Sequence, residues 1–140
     1  MKKGVKRGVL WLASMLAMLM MVGGVAWAAT WVGTNGPDNV AGTPGPDRLN
    51  AKGGNDTVDG RGGADRIWGG DGRDLLVDGL RGDRSTDYLY GGWGNDTINT
   101  NNKPNHVDGI KCGPGVDKVV GDPNDQIIGN RSACEVIRVH

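Results

Sequence analysis

Between Gly33 and Asn99 the chain returns to one pattern every nine residues, and each copy ends in Gly-x-Asp-x-aliphatic. Aligned on the aspartate, the copies read GTNGPDNVA from Gly33, GTPGPDRLN from Gly42, AKGGNDTVD from Ala51, GRGGADRIW from Gly60, GGDGRDLLV from Gly69 and GGWGNDTIN from Gly91. A longer unit from Asp78 to Tyr90 closes on Asp87-Tyr88-Leu89, and a looser one, CGPGVDKVV, begins at Cys112. A fixed short period means a fold built by stacking like units on their neighbours. An acid at a fixed place in each unit means that the stack gathers negative charge.

One repeat shows the local logic. Gly60 to Asp65 is too rich in glycine for a helix and suits a tight turn with unshielded carbonyls. Arg66-Ile67-Trp68 suits a very short strand, with Ile67 on one face and its neighbours on the other. The place of Ile67 holds Val40, Leu49, Val58, Ile67, Leu76, Leu89, Ile98 and Val119 across the copies. All are aliphatic, so they define the inside of a coil.

Two turn-and-strand units make one winding, which stacks residues 18 apart at about the 4.8 Å strand spacing. Asp38, Asp56 and Asp74 then line one edge, with Asp47 and Asp65 on the other. The four extra residues of the long unit form a bulged loop near Leu80–Thr86, which keeps Asp87 and Asp96 in these two files. Carboxylates stacked about 5 Å apart repel unless a cation lies between them. Carboxylate and carbonyl oxygens on a flexible turn suit Ca²⁺, and do so better than Mg²⁺, Zn²⁺ or copper.

These residues resemble the RTX (hemolysin-type) calcium-binding repeat, Gly-Gly-x-Gly-x-Asp-x-aliphatic-x. Gly69–Val77 and Gly91–Asn99 match every defined position. Gly33–Ala41, Gly42–Asn50 and Gly60–Trp68 replace the second glycine with Thr34, Thr43 and Arg61, and Ala51–Asp59 lacks both opening glycines. The resemblance implies an all-β fold, a right-handed parallel β-roll with several Ca²⁺ ions between its turns. It implies metal ligation by Asp38, Asp47, Asp56, Asp65, Asp74, Asp87, Asp96 and Asp117. Backbone carbonyls near Gly36, Gly45, Gly54, Gly63, Gly72, Gly94 and Gly115 would complete the sites. The end aspartates Asp38 and Asp117 lack a neighbour on one side and are expected to bind weakly or not at all.

Three regions follow. Residues 1–28 read as a secretory leader: Lys2, Lys3, Lys6 and Arg7, an apolar run from Val9 to Val25, then Ala26-Trp27-Ala28. An uncleaved membrane anchor is the other reading of that run. Residues 29–99 form the roll, and 100–140 a cap of degenerate repeats. Four of the 16 basic residues and none of the 16 acidic ones lie in the leader, so the remainder carries 12 against 16. That balance argues against nucleic acid as a partner. With no Phe and all five Met in the leader, the roll has only a thin apolar core, and its stability must come partly from elsewhere.

In the C-terminal region, Thr100–Asp108 reads as a degenerate rung with Val107 at the aliphatic place and Asn105 at the Asp place. Asp122–Ile128 and Ala133–Val139 read as short closing strands. Cys112 and Cys134, in a chain with a leader, are expected to pair as a disulfide; the alternative, a metal site of these cysteines with His106 and His140, matches no C-x-x-C pattern. Asp83-x-Ser85-x-Asp87 fails as an EF-hand because Tyr88 and Gly94 stand where glycine and glutamate belong.

No Ser-His-Asp set is visible, and identical repeating acids suit a lattice rather than an acid/base pair, so no enzyme is expected. The sequence reads as a secreted, extracellular protein whose folding is coupled to Ca²⁺. The alternative is a surface-anchored recognition module, in which Trp68, Tyr88, Tyr90 and Trp93 form a face for a glycan or cell-surface partner and calcium is structural only.

Overall fold

The computed structural model describes residues 27–79, 83–101, 106–130 and 134–138. The leader, apart from Trp27 and Ala28, lies outside the described residues. So do the middle of the bulged loop, Asn105, Ala133 and His140.

Among the described residues there are twelve short strands and no helix. They are β1 (Thr30–Val32), β2 (Asn39–Ala41), β3 (Arg48–Asn50), β4 (Thr57–Asp59), β5 (Arg66–Asp71) and β6 (Leu75–Val77). The second half holds β7 (Tyr88–Trp93), β8 (Thr97–Thr100), β9 (Gly109–Lys111), β10 (Asp117–Gly121), β11 (Gln126–Ile127) and β12 (Cys134–Arg138). Odd-numbered strands form one six-stranded sheet and even-numbered strands the other, each in chain order and wholly parallel. The chain is thus a parallel β-solenoid of six windings, as the nine-residue period requires.

Register follows the repeat. Leu49 pairs with Ile67 and Val58 with Leu76, each one winding apart. Across the long unit Ile67 pairs with Leu89, so the inserted residues are taken up by the turn and the strands keep phase. One sheet points Trp31, Leu49, Ile67, Leu89, Ile110 and Ile127 inward; the other points Val40, Val58, Leu76, Ile98 and Val119, with Val136 next in register but exposed. The core is this double ladder, with Ile67, Leu76, Leu89 and Ile98 wholly buried. Each such side chain contributes about 1.5–3 kcal/mol of burial.

The reading of Thr100–Asp108 is corrected in phase. Val107 is exposed and Ile110 takes the core place beside Leu89, so the rung begins at Asp108 and not at Asn105. The turn before it is longer than the repeat allows, which moves Asp-x-aliphatic three residues down the chain. The first rung also escapes the motif: Trp31 fills its core place and Ala29 its Asp place.

Turn lengths divide the two edges of the roll. On one edge every turn keeps the regular length, from Gly33–Asp38 to Cys112–Asp117. On the other, Gly42–Asp47 and Gly60–Asp65 are regular, but Asp78–Asp87 and Thr100–Asp108 are long and Gly121–Asp125 is short. All the irregularity is on one side. Cys112 and Cys134 are bonded, with Cα atoms 6.0 Å apart. Cys134 lies in register with Asp117, so the disulfide stands where the regular file would have its next acid.

Candidate metal centre

The sixth residue of each unit enters its strand from the turn, which turns its side chain into the edge between windings. On the regular edge, Asp38 N–H donates to Asp56 Oδ1 at 2.8 Å, Asp56 to Asp74 at 2.9 Å, Asp74 to Asp96 at 2.9 Å and Asp96 to Asp117 at 2.8 Å. On the irregular edge, Ala29 N–H donates to Asp47 Oδ1 at 2.6 Å, and Asp47, Asp65, Asp87 and Asp108 each donate to the next acid, ending at Asp125. The two files expected from the repeat are present. Asp108 and Asp125 extend the second file and were missed, because the irregular turns before them break the nine-residue count. The Asp-x-aliphatic strings Asp108-Gly109-Ile110 and Asp125-Gln126-Ile127 were the available signal.

Each ladder bond uses Oδ1, which leaves the fate of Oδ2 to the turn. In the first two turns a threonine meets it. Thr34 N–H donates to Asp38 Oδ2 at 2.7 Å and Thr43 N–H to Asp47 Oδ2 at 2.5 Å. Both hydroxyls lie within hydrogen-bond distance of the same carboxylates, that of Thr43 lying closer still to the Trp27 carbonyl at 2.6 Å, and accept the N–H of Gly36 and Gly45. The turns of Asp56, Asp65, Asp74, Asp87, Asp96 and Asp117 have no such closure, whereas Asp125 Oδ2 accepts from the Thr100 hydroxyl at 2.7 Å and from Asp122 N–H at 2.8 Å. Oδ2 of Asp56, Asp65, Asp74, Asp87, Asp96 and Asp117 is buried without a hydrogen-bond partner. A buried acceptor left unmade costs about 1–3 kcal/mol, more when charged.

Backbone conformation separates the same two groups. The second place carries positive φ at Lys52 (74°), Arg61 (74°), Gly70 (106°), Gly92 (111°) and Gly113 (107°), whereas neither Thr34 nor Thr43 adopts it. At the fourth place the glycines pack backbone to backbone. A Cβ on Gly72 would lie 1.8 Å from the Gly54 carbonyl oxygen, and one on Gly94 1.7 Å from that of Gly72. Gly36, Gly54, Gly72, Gly94 and Gly115 therefore line the regular edge with carbonyls, and Gly45 and Gly63 begin the same file on the other.

Burial sets the electrostatics. Desolvation pushes Asp65 up to about 8, Asp87 to about 7 and Asp96 to about 6, against the lowering effect of the ladder N–H bonds. Asp56, Asp74, Asp117 and Asp125 are raised, chiefly by the same cause. Neighbouring acids add to the effect, as Asp87 and Asp47 do at Asp65. Carboxylates this reluctant to ionise, each but Asp125 with one idle oxygen, form a site short of positive charge. All-oxygen donors on glycine turns fit a hard divalent cation of flexible coordination, which is Ca²⁺.

Trp68 and Tyr90 stack at 5.5 Å with 6° between their planes, so each covers one face of the other, and Arg66 lies over Tyr88. Trp93 stands apart as an exposed ring. His106 is half-buried, and the disulfide accounts for both cysteines.

Stacked parallel windings, glycine turns and files of buried aspartates together define a calcium-binding β-roll. The chain matches the family model described as RTX calcium-binding nonapeptide repeat (4 copies) over residues 32–63, 41–76 and 78–102, half of its length in all. It belongs to that family. No curated protein and no solved structure matches the chain.

Proposed function

We propose that this is a secreted protein whose folding is driven by Ca²⁺ taken up between stacked turns. The observation that carries the reading is the set of six buried Oδ2 atoms without partners, in register along two edges. Asp56, Asp65, Asp74, Asp87, Asp96 and Asp117 would hold the ions, helped by the carbonyls of Gly54, Gly63, Gly72, Gly94 and Gly115. Bound Ca²⁺ supplies the positive charge that lets these acids ionise while buried. Asp38 and Asp47, beside Gly36 and Gly45, take no ion in this reading, because the N–H and hydroxyl groups of Thr34 and Thr43 already meet their Oδ2 atoms. The chain's own part is to hold Oδ1 on the ladder and to aim Oδ2 into the turn.

Secretion is supported by the basic start, apolar run and Ala26-Trp27-Ala28 of the leader, and by a disulfide that suits an oxidising compartment. Extracellular Ca²⁺ modules bind at roughly 10⁻⁴–10⁻³ M, so such a chain stays open inside the cell and closes outside. The test is a titration of the purified chain from chelator into Ca²⁺, followed by circular dichroism and hydrodynamic radius. Strand signal and compaction should appear together in that concentration range. A spectrum and size unchanged by Ca²⁺ would refute the coupling. N-terminal sequencing of exported material, expected to begin at Ala29, checks the leader.

A further inference from the structure

Two buried acids, Asp78 and Asp122, lie outside the repeat position that the family motif reserves for acids. Asp78 opens the long turn of the irregular edge and is 1 % exposed. In the regular turns of that edge the same place holds Gly42 and Gly60. A Cβ on either would meet the Oδ2 of its own turn's aspartate, Asp47 or Asp65, at 2.4 Å. A side chain there enters the edge on the Oδ2 side. The four-residue lengthening of Asp78–Asp87 is what makes room for one.

Three carboxylates meet as a result. Asp78, Asp87 and Asp108 are all buried, and one oxygen from each lies within 4.8 Å of the others. That distance is about twice a Ca–O bond of roughly 2.4 Å. Asp87 is wholly buried, keeps Oδ1 on the ladder N–H of Asp65 and leaves Oδ2 without a partner. Asp78 and Asp108 share a side-chain hydrogen bond, and the charges acting on Asp78 are those of Asp108, Asp87 and Asp125, all of its own sign. Without a cation, only a shared proton can keep such a group together.

We propose that Asp78, Asp87 and Asp108 form a carboxylate-only Ca²⁺ site, distinct in ligand set from the glycine-carbonyl sites of the regular turns and tighter than they are. Affinity in oxygen sites rises with the number of charged ligands. Three acids around one ion exceed what one file of aspartates supplies. This rests on the reading of the roll as a calcium binder, and it assigns the irregular edge the first ion to bind.

The test is Ca²⁺ titration calorimetry on the full chain, with Tb³⁺ luminescence as a second probe. Four proteins are compared: the parent, Asp78→Asn, Asp78→Gly, and Asp56→Asn on the opposite edge. Asp78→Gly restores the residue that neighbouring turns use, so it guards against misfolding of the Asn variant. Both Asp78 variants should lose the tightest ion, with at least about a tenfold fall in its affinity, and keep the weaker class. Asp56→Asn should keep the tightest ion and weaken the others. If the parent binds Ca²⁺ and both Asp78 variants match it ion for ion, this site is refuted while the roll stands. A parent that binds no Ca²⁺ overturns both.

Discussion

The first two turns of the roll and those that follow are built from the same nine-residue unit, yet they end in opposite electrostatic states. Gly42–Asp47 and Gly60–Asp65 are successive turns of one edge, joined by the bond from Asp47 N–H to Asp65 Oδ1. In the first, Thr43 donates its N–H to Asp47 and sets its hydroxyl against the same carboxylate. In the second, Arg61 stands in place of threonine, turns to positive φ, and leaves Asp65 Oδ2 buried without a partner. One residue per turn decides whether the acid is satisfied by the chain or waits for an ion. A stack with both kinds has an end that closes by itself and a middle that requires metal.

Changing the acid in each turn should break the symmetry most widely. Asp65→Asn removes an oxygen that only an ion can satisfy, and should lower Ca²⁺ affinity by at least about tenfold and reduce the number of ions bound. Asp47→Asn should leave the ion count unchanged. Calorimetric stoichiometry decides between them, and equal losses from the two variants would show that threonine closure does not exclude the ion.

Proton and metal should act as substitutes in the open turns. Folded Asp65, Asp87 and Asp96 sit near 8, 7 and 6, above the 3.8 of an unburied aspartate. Between about 4 and 8 the folded state therefore holds more protons than the unfolded one, so stability falls as pH rises through that window. In chelator, the chain should gain strand signal on moving from pH 8 to about 4.5. Ca²⁺ binding needs the ionised form, so apparent affinity should rise over the same interval. A metal-free chain whose circular dichroism is flat from pH 4.5 to 8 would break this link.

A smaller effect isolates the threonine. Thr43→Val keeps the N–H bond to Asp47 and deletes the hydroxyl that serves both Asp47 and Gly45 N–H. It should cost about 1–2 kcal/mol in urea unfolding at saturating Ca²⁺, without change in ion number. No loss would mean that the N–H bond alone closes the turn.

How much of this was legible depended on whether a feature was periodic. The inward places of Val40, Leu49, Val58, Ile67, Leu76, Leu89, Ile98 and Val119 follow from a side chain recurring at one phase, and all lie on the inner face. The files of aspartates follow for the same reason, and the disulfide from an even pair of cysteines behind an expected leader. Asp108, Asp125 and Trp31 were hidden because turns of odd length, or a core place filled by Trp, break the count that makes a repeat visible. The role of Thr34 and Thr43 was hidden differently. A threonine in place of glycine looks like a weakened motif, and only hydrogen-bond geometry shows that it completes the turn.

The last contrast concerns the backbone at the second place, where one change should have opposite signs in neighbouring turns. Arg61 holds φ at 74°, steadied by the bond from its N–H to Asp59 Oδ1 at 2.9 Å. A residue with a Cβ pays roughly 1–2 kcal/mol there, while glycine gives back about 0.5–1 kcal/mol through greater freedom in the unfolded chain. Arg61→Gly should therefore stabilise by somewhat under about 1 kcal/mol, seen as a higher urea midpoint at saturating Ca²⁺. Thr43, outside that region, gains nothing from glycine and loses its hydroxyl, so Thr43→Gly should lower the midpoint. If both substitutions moved it the same way, the division of turns into self-closed and open kinds would not rest on the second residue.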